Sequence, residues 1–305
     1  MLRVMLVPGA QSSKYFPNTE EKFRFDPEAR ALVSQAQTFL QGVEVDGQPL
    51  LLQGYCMVQN KNAFSARYQI VAEHMLIFIW SWALWERSRQ HAKITAFLGQ
   101  SYGLWIAAFL GGLCDFETAV GMVKQRLLIC TAVSGDSILI RKKEAGSIDF
   151  ASLQKLCEQC GNVWLAAINH QEQGVVSGTP EGIAKIKEVL EKQGIYKPID
   201  SMRVGPPWHT LLLMQAAEKV KKNLPPASKL SNLAISICCL NKDGKLVEVW
   251  EKEEVVHHML EELTQPRNFL EMVRQLPLDT EYAELVVHKN PYLTTTVQII
   301  RDGQS

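Results

Sequence analysis

The chain has no net charge: 32 basic residues balance 32 acidic ones. A surface without a dominant sign offers no electrostatic footprint for nucleic acid or an anionic membrane, so neither is expected as a partner. No apolar run is long enough to span a bilayer. The most apolar stretch, Ile70 to Trp85, carries Glu73 and His74 and falls short of the roughly 20 residues a spanning helix needs, so it reads as a core helix. The opening segment, Met1 to Val7, is too short for a signal h-region and breaks at Pro8-Gly9 into polar sequence. It reads as a strand entering a loop, without a secretion signal. Repeats and low-complexity segments are also missing. Seven cysteines, an odd number lying mostly in apolar stretches, argue for reduced thiols in a cytoplasmic setting rather than a disulfide framework. The one CxxC, Cys157 to Cys160, sits on an amphipathic helix with no second pair at metal-site spacing, so no metal is expected.

What is present is an ordinary globular composition. With 305 residues and 47% hydrophobic content the chain can bury a large core, and its length suggests about two domains. The most informative segment is Gly99-Gln100-Ser101-Tyr102-Gly103, which follows the apolar run Ile94 to Leu98 and opens a helix-like stretch over Leu104 to Leu110. G-x-S-x-G between a strand and a helix is the pattern of a nucleophile elbow: glycines permit the reversal, the serine hydroxyl is pushed into the open, and the helix N-terminus favours negative charge. Acyl-transfer chemistry at Ser101 is the leading expectation.

Around the elbow the chain reads as α/β. A strand over Arg3 to Val7, a polar and Pro-containing segment, a buried helix near 66–86 and a strand near 93–98 precede it. Asp115 is a plausible N-cap for a helix with Phe116, Ala119, Val123, Leu127 and Cys130 on one face. Arg126 lies at the edge of that face, where its stem either covers apolar surface or its charge has a function. Residues 137–204 alternate as strand 138–140, helix 149–159, strands 163–168 and 174–177, helix 181–193 and an extended segment 195–204. This βαββαβ order is the split-βαβ, ferredoxin-like pattern. The expected architecture is a large α/β-hydrolase-like domain with a parallel sheet core, formed by 1–133 and 205–305, with a small ferredoxin-like domain inserted at 134–204. In the last third, helices are expected at 210–223 and 252–264 and strands over Leu233 to Cys238 and Glu284 to Val287.

A nucleophilic serine needs a base. His209 follows Gly205-Pro206-Pro207-Trp208, a stiff loop, and precedes a helix-like run, so it either completes a cap or mounts an imidazole. His257 and His258 lie on a charged helix and read as surface residues; His288, after a strand, is the rival base.

Across essentially its whole length the sequence resembles the malonyl-CoA:acyl-carrier-protein transacylase family and the acyltransferase domains of polyketide synthases. Gly99 to Phe116 is similar without a gap to that family's GHSLGEYSALVAAGVIDF, Arg126 stands 25 positions after the serine as the family's arginine does, and His209 falls at its histidine. Asn169 to Gly178 resembles the asparagine-led turn of the small domain, Val7 to Ser12 the FPGQGS loop, and Glu262 to Pro266 the late QLxxP segment.

The resemblance implies a free-standing Ser-His acyltransferase. His209 would deprotonate Ser101, which attacks an acyl-coenzyme A thioester, and the phosphopantetheine thiol of an acyl carrier protein would take the acyl group in fatty-acid or polyketide synthesis. No bound cofactor is implied. Backbone N–H groups of Ala10 and Tyr102 would form the oxyanion hole, and Arg126 would hold the free carboxylate of a malonyl group. Gln100 replaces the family's histidine, Leu104 its acidic residue and Ala10 its loop glutamine, with Gln11 beside it as a substitute, so the mouth of the site is less polar than usual. Trp208 stands where the family selects the α-substituent and would favour malonyl over branched acyl groups. Glu262, where glutamine is common, either orients the imidazole as a triad acid or is a solvated helix residue. Three other possibilities follow: an editing hydrolase on the same scaffold, a degenerate carrier-binding scaffold, and an unrelated α/β-hydrolase using Ser101, Asp200 and His288.

Overall fold

Strand β1 (Arg3–Val7) opens the structure, and Val4 to Val7 are buried because parallel neighbours flank them on both sides. The computed structural model describes residues 2–9, 26–58, 61–89, 93–144, 146–194, 196–199, 205–286 and 292–303. Helix α1 (Pro27–Phe39) starts at Asp26, whose carboxylate accepts from the Ala29 N–H, with proline in the first turn where no amide partner is lost. A short hairpin, β2 (Glu44–Val45) and β3 (Gln48–Pro49), and helix α2 (Leu52–Met57) lead into helix α3 (Ala66–Ser88). As its all-round apolar sequence requires, α3 is buried on most sides, His74 included.

Strand β4 (Ala96–Gly99) runs into helix α4 (Gly103–Leu110), every residue of which is buried. Helix α5 (Phe116–Cys130) is capped by Asp115, as its sequence predicts. Then come β5 (Asp136–Lys142), α6 (Phe150–Cys160), β6 (Val163–His170), β7 (Gln173–Gly178), α7 (Pro180–Gln193) and β8 (Tyr196–Ile199). A 3-10 turn (Leu211–Leu213) precedes α8 (Met214–Lys222), and the chain continues through β9 (Ser236–Leu240), β10 (Leu246–Val249), α9 (Lys252–Thr264), β11 (Arg267–Asn268), α10 (Phe269–Gln275), β12 (Glu281–Glu284) and α11 (Leu293–Asp302).

The larger unit is built on a sheet of order β10-β9-β4-β1-β12, parallel except at β10. The second sheet has the order β11-β6-β7-β5-β8. Its strands β5 to β8 pair antiparallel, with each helix crossing over an intervening strand, which is the ferredoxin-like arrangement. Strand β11, two residues from the C-terminal third, adds parallel to β6 and ties the second sheet to the larger unit. The fold class is therefore the one expected.

Several local expectations are corrected. The last sheet strand lies at Glu281–Glu284 rather than 284–287, because its backbone pairs with Arg3 to Leu6 of β1. The run 210–223 begins as a 3-10 turn. His258 is buried, not on the surface: with Val255, Met259, Glu262 and Leu263 it completes the i, i+3, i+4, i+7, i+8 stripe of α9 that faces the core. The cysteines are all unpaired. Among the described residues no helix is long and apolar enough to cross a membrane.

Candidate active site

The elbow sits at the C-terminal end of β4, beside the end of β1, where open α/β sheets place their ligands. Ser101 has φ of +55°, in the left-handed region that a residue with a Cβ seldom adopts. The surroundings impose that conformation by close backbone packing. A Cβ on Gly99 would lie 2.4 Å from the Gly103 carbonyl carbon, and one on Gly103 would lie 2.1 Å from the Val7 carbonyl oxygen. Both glycines are therefore required by contact. The Gln100 N–H donates to the Val7 carbonyl at 3.1 Å, fastening the turn to β1.

His209 is a second non-glycine residue at positive φ, +63°, and its own N–H donates to the Leu263 carbonyl at 2.9 Å. Backbone strain at both partners of one side-chain pair is the kind that a functional geometry sustains. The His209 Nδ1 lies 2.5 Å from the Glu262 backbone carbonyl, and Nε2 lies 2.7 Å from Ser101 Oγ. A carbonyl only accepts, so Nδ1 carries the proton and Nε2 presents its lone pair. The Ser101 hydroxyl consequently donates to Nε2, the arrangement in which the imidazole can take its proton. Burial lowers the His209 pKa; the Glu262 charge and carbonyl oppose this and the Arg267 and Arg126 charges add to it, leaving the imidazole below its ordinary value.

The Glu262 carboxylate is not within hydrogen-bond reach of the imidazole, as the triad acid considered above would be. It is 3.6 Å from His209 Nδ1, and the backbone carbonyl of the same residue orients the ring instead. Nor is it solvated: Glu262 is fully buried, receives Arg126 Nη2 at 3.2 and 3.3 Å, and accepts the Trp105 indole N–H at 3.0 Å. Burial pushes its pKa up, but the Arg126, His209 and Arg267 charges outweigh that and hold it below the usual carboxylate value.

Arg126 does not snorkel. It is 1% exposed, with the centre of its guanidinium 4.2 Å from the Trp208 ring, 4.7 Å from Tyr102 and 5.4 Å from Trp105. Its Nε and Nη1 have no hydrogen-bond partner among the described residues. Ser101, His209, Arg126, Gln100, Tyr102 and Trp208 all line one cleft of about 760 Å³ including its mouth. The Gln100 amide donates to Asn169 Oδ1 at 2.9 Å, linking the elbow to β6. Ala10 and Gln11 lie outside the described residues, as do Asp200 and His288, so the first oxyanion donor and the rival base have no geometry to set beside these distances.

The cleft also has walls that the sequence alone did not single out. His74 of α3, its pKa lowered to about 3 by burial, gives Nδ1 to the Ile70 carbonyl and is a neutral wall residue. The Ser137 and Ser177 hydroxyls, 2.7 Å apart on β5 and β7, and the half-buried Arg267 of β11 complete the side formed by the second sheet. Only for Arg267 was there a local signal, a cation next to Pro266 in a segment already marked by the QLxxP resemblance.

No family model matches the chain. Among curated proteins it is similar to the malonyl CoA-acyl carrier protein transacylase of Bacillus subtilis (strain 168), 27% identical over 182 residues, which are 58% of this chain and 56% of that protein. The matched stretch thus spans about half the length of that relative. Among solved structures it is similar to a malonyl-CoA:acyl-carrier-protein transacylase (MCAT) from Streptococcus pneumoniae, with a TM-score of 0.73 and 20% identity over 98% of this chain and 93% of that one. It is also similar to a loading acyltransferase from the avermectin modular polyketide synthase, with a TM-score of 0.76 and 18% identity over 99% and 92%. The chain shares the fold of these transacylases and polyketide synthase acyltransferase domains.

Proposed function

We propose that this protein is an acyltransferase that moves a short acyl group, malonyl in the transacylase relative named above, from coenzyme A to the phosphopantetheine thiol of an acyl carrier protein. The observation that carries this is the Ser101 hydroxyl donating at 2.7 Å to an imidazole whose other nitrogen is fixed on a carbonyl. His209 takes the Ser101 proton as Oγ attacks the thioester carbonyl, and the tetrahedral oxyanion collapses with loss of the coenzyme A thiolate, which receives the proton from His209. The carrier thiol then attacks the acyl-enzyme with the same imidazole as base. Tyr102, first past the nucleophile, is the described residue whose backbone N–H is suited to the oxyanion, with Ala10 as its proposed companion.

Every step is a proton transfer or an acyl exchange, so the chemistry requires no resident cofactor. The cleft lies between the large unit, taken as 1–133 and 205–305, and the insert at 134–204. Unpaired thiols fit a cytoplasmic setting, and fatty-acid or polyketide synthesis is the proposed use of the loaded carrier. One observation favours a second reading, hydrolysis of carrier-bound acyl thioesters: Glu262 already meets the Arg126 charge, so Arg126 is not a cation reserved for a dicarboxylic substrate.

The test is to mix the protein with an acyl-coenzyme A and holo carrier protein, and separately with acyl-loaded carrier protein, weighing the proteins intact and assaying free acid. Acyl-carrier as the main product of the first mixture supports transfer; free acid and unloaded carrier from the second supports hydrolysis; no change in either mixture refutes both.

A further inference from the structure

We propose that the acyl group this cleft accepts is uncharged at its far end, a short acyl or 3-oxoacyl chain rather than a dicarboxylic one. The inference rests on the acyl-enzyme chemistry proposed above and concerns which thioester enters it. Arg126 is the cation beside Ser101 and His209, and its charge is already matched inside the protein by Glu262, 3.2 Å away and fully buried. The match is built in: the Glu262 carboxylate is also held by the Trp105 indole N–H, which a neighbouring carbonyl, that of Met259, fixes in place.

A substrate carboxylate placed on the remaining guanidinium face would share Arg126 with a second anion about 5 Å away; at an effective dielectric of about 20 that repulsion weakens its binding on the order of a hundredfold relative to an unpaired arginine, which cancels most of the guanidinium's attraction and leaves the desolvation of the carboxylate uncompensated. Nε and Nη1, unpartnered and buried, still offer two N–H donors, and a neutral carbonyl or hydroxyl oxygen satisfies such donors without adding charge. The flanking Trp208 and Tyr102 rings suit an apolar chain for the same reason. The other cation of the cleft, Arg267 of β11, is near enough for its charge to act on both His209 and Glu262, and it also borders a second hollow with Trp164 and Glu158.

Malonyl-coenzyme A and acetoacetyl-coenzyme A have nearly the same shape and differ in the charge at the far end. Single-turnover acylation of the wild-type protein by each, followed by intact mass, isolates that charge. The expected result is acetoacetyl loading at least tenfold faster than malonyl, and a malonyl-to-acetoacetyl ratio about a hundredfold higher in Glu262→Gln, which removes the charge at constant shape. Wild-type loading of malonyl as fast as acetoacetyl overturns the proposal; if Arg267→Ala then abolishes that malonyl loading, the carboxylate belongs to Arg267. The wild-type comparison decides even if Glu262→Gln does not fold. No adduct from either thioester, or from acetyl-coenzyme A, removes the acyl-enzyme chemistry itself, a failure distinct from a wrong charge preference.

Discussion

Replacing Arg126 and Glu262, singly and together, tests whether the buried pair is one energetic unit. Both side chains are at most 1% exposed and meet at 3.2 Å, so with an effective dielectric of about 20 their attraction is about 5 kcal/mol before desolvation is subtracted. Arg126→Met leaves a buried carboxylate whose one remaining side-chain hydrogen bond among the described residues is to the Trp105 indole at 3.0 Å, and Glu262→Met leaves a guanidinium with no hydrogen-bond acceptor among the described residues. Orphaning one partner of a buried pair costs about 3–5 kcal/mol. Replacing both removes two desolvation penalties along with the attraction, and Trp105 keeps its bond to the Met259 carbonyl at 2.9 Å. The double variant is therefore expected to be no less stable than either single one, with a coupling of at least ~2 kcal/mol. Guanidinium chloride unfolding of the four proteins gives the cycle. Losses that simply add would refute the pairing, and with it the neutralised anchor.

Three further outcomes follow from the geometry. His209 must be neutral to accept the Ser101 proton, and its pKa is held below the ordinary 6.5, so single-turnover acylation should stay on its plateau at pH 6.5 and fall only as pH drops through the depressed value. A plateau lost above pH 6.5 in a pH–rate profile contradicts this. The same shift has a consequence for stability: the folded chain resists protonation that the unfolded chain accepts, so the His209 contribution is complete above pH 6.5 and declines below it in unfolding titrations. Gly103→Ala would bring a Cβ within 2.1 Å of the Val7 oxygen, whereas Gly121→Ala on α5 meets nothing within 4 Å. Thermal melts should show the first losing 1–3 kcal/mol or more and the elbow geometry with it, and the second unchanged or gaining up to about 1 kcal/mol; equal effects would mean the crossing at β1 is not the constraint.

The elements legible in the sequence were those with local causes. The elbow announces itself because only glycine fits at Gly99 and Gly103, and Asp115 caps α5 through an amide three residues away. The βαββαβ insert is readable because each strand is an apolar run between turns and each helix has one apolar face. Strand β11 was invisible: two residues carry no period, and pairing with β6 defines them. Helix α1 hid in a polar, Pro-containing segment because only Ala29, Val33 and Ala36 give it a buried stripe. In the candidate site, spacing and resemblance point to Ser101 and His209, which the structure places 2.7 Å apart, but the contacts of Glu262 divide between its backbone and its side chain. The carbonyl serves the imidazole while the carboxylate serves Arg126, 136 positions away. No local pattern encodes a contact of that kind, since it depends on how α5 and α9 approach across the core.

The most direct test of the central claim is peptide mapping of the wild-type protein quenched seconds after mixing with an acyl-coenzyme A, beside Ser101→Ala and His209→Ala. An acyl group on Ser101 in the wild type, absent in Ser101→Ala and formed at least a hundredfold more slowly in His209→Ala, is the predicted result. An adduct that persists without Ser101, or forms as fast without His209, would contradict it.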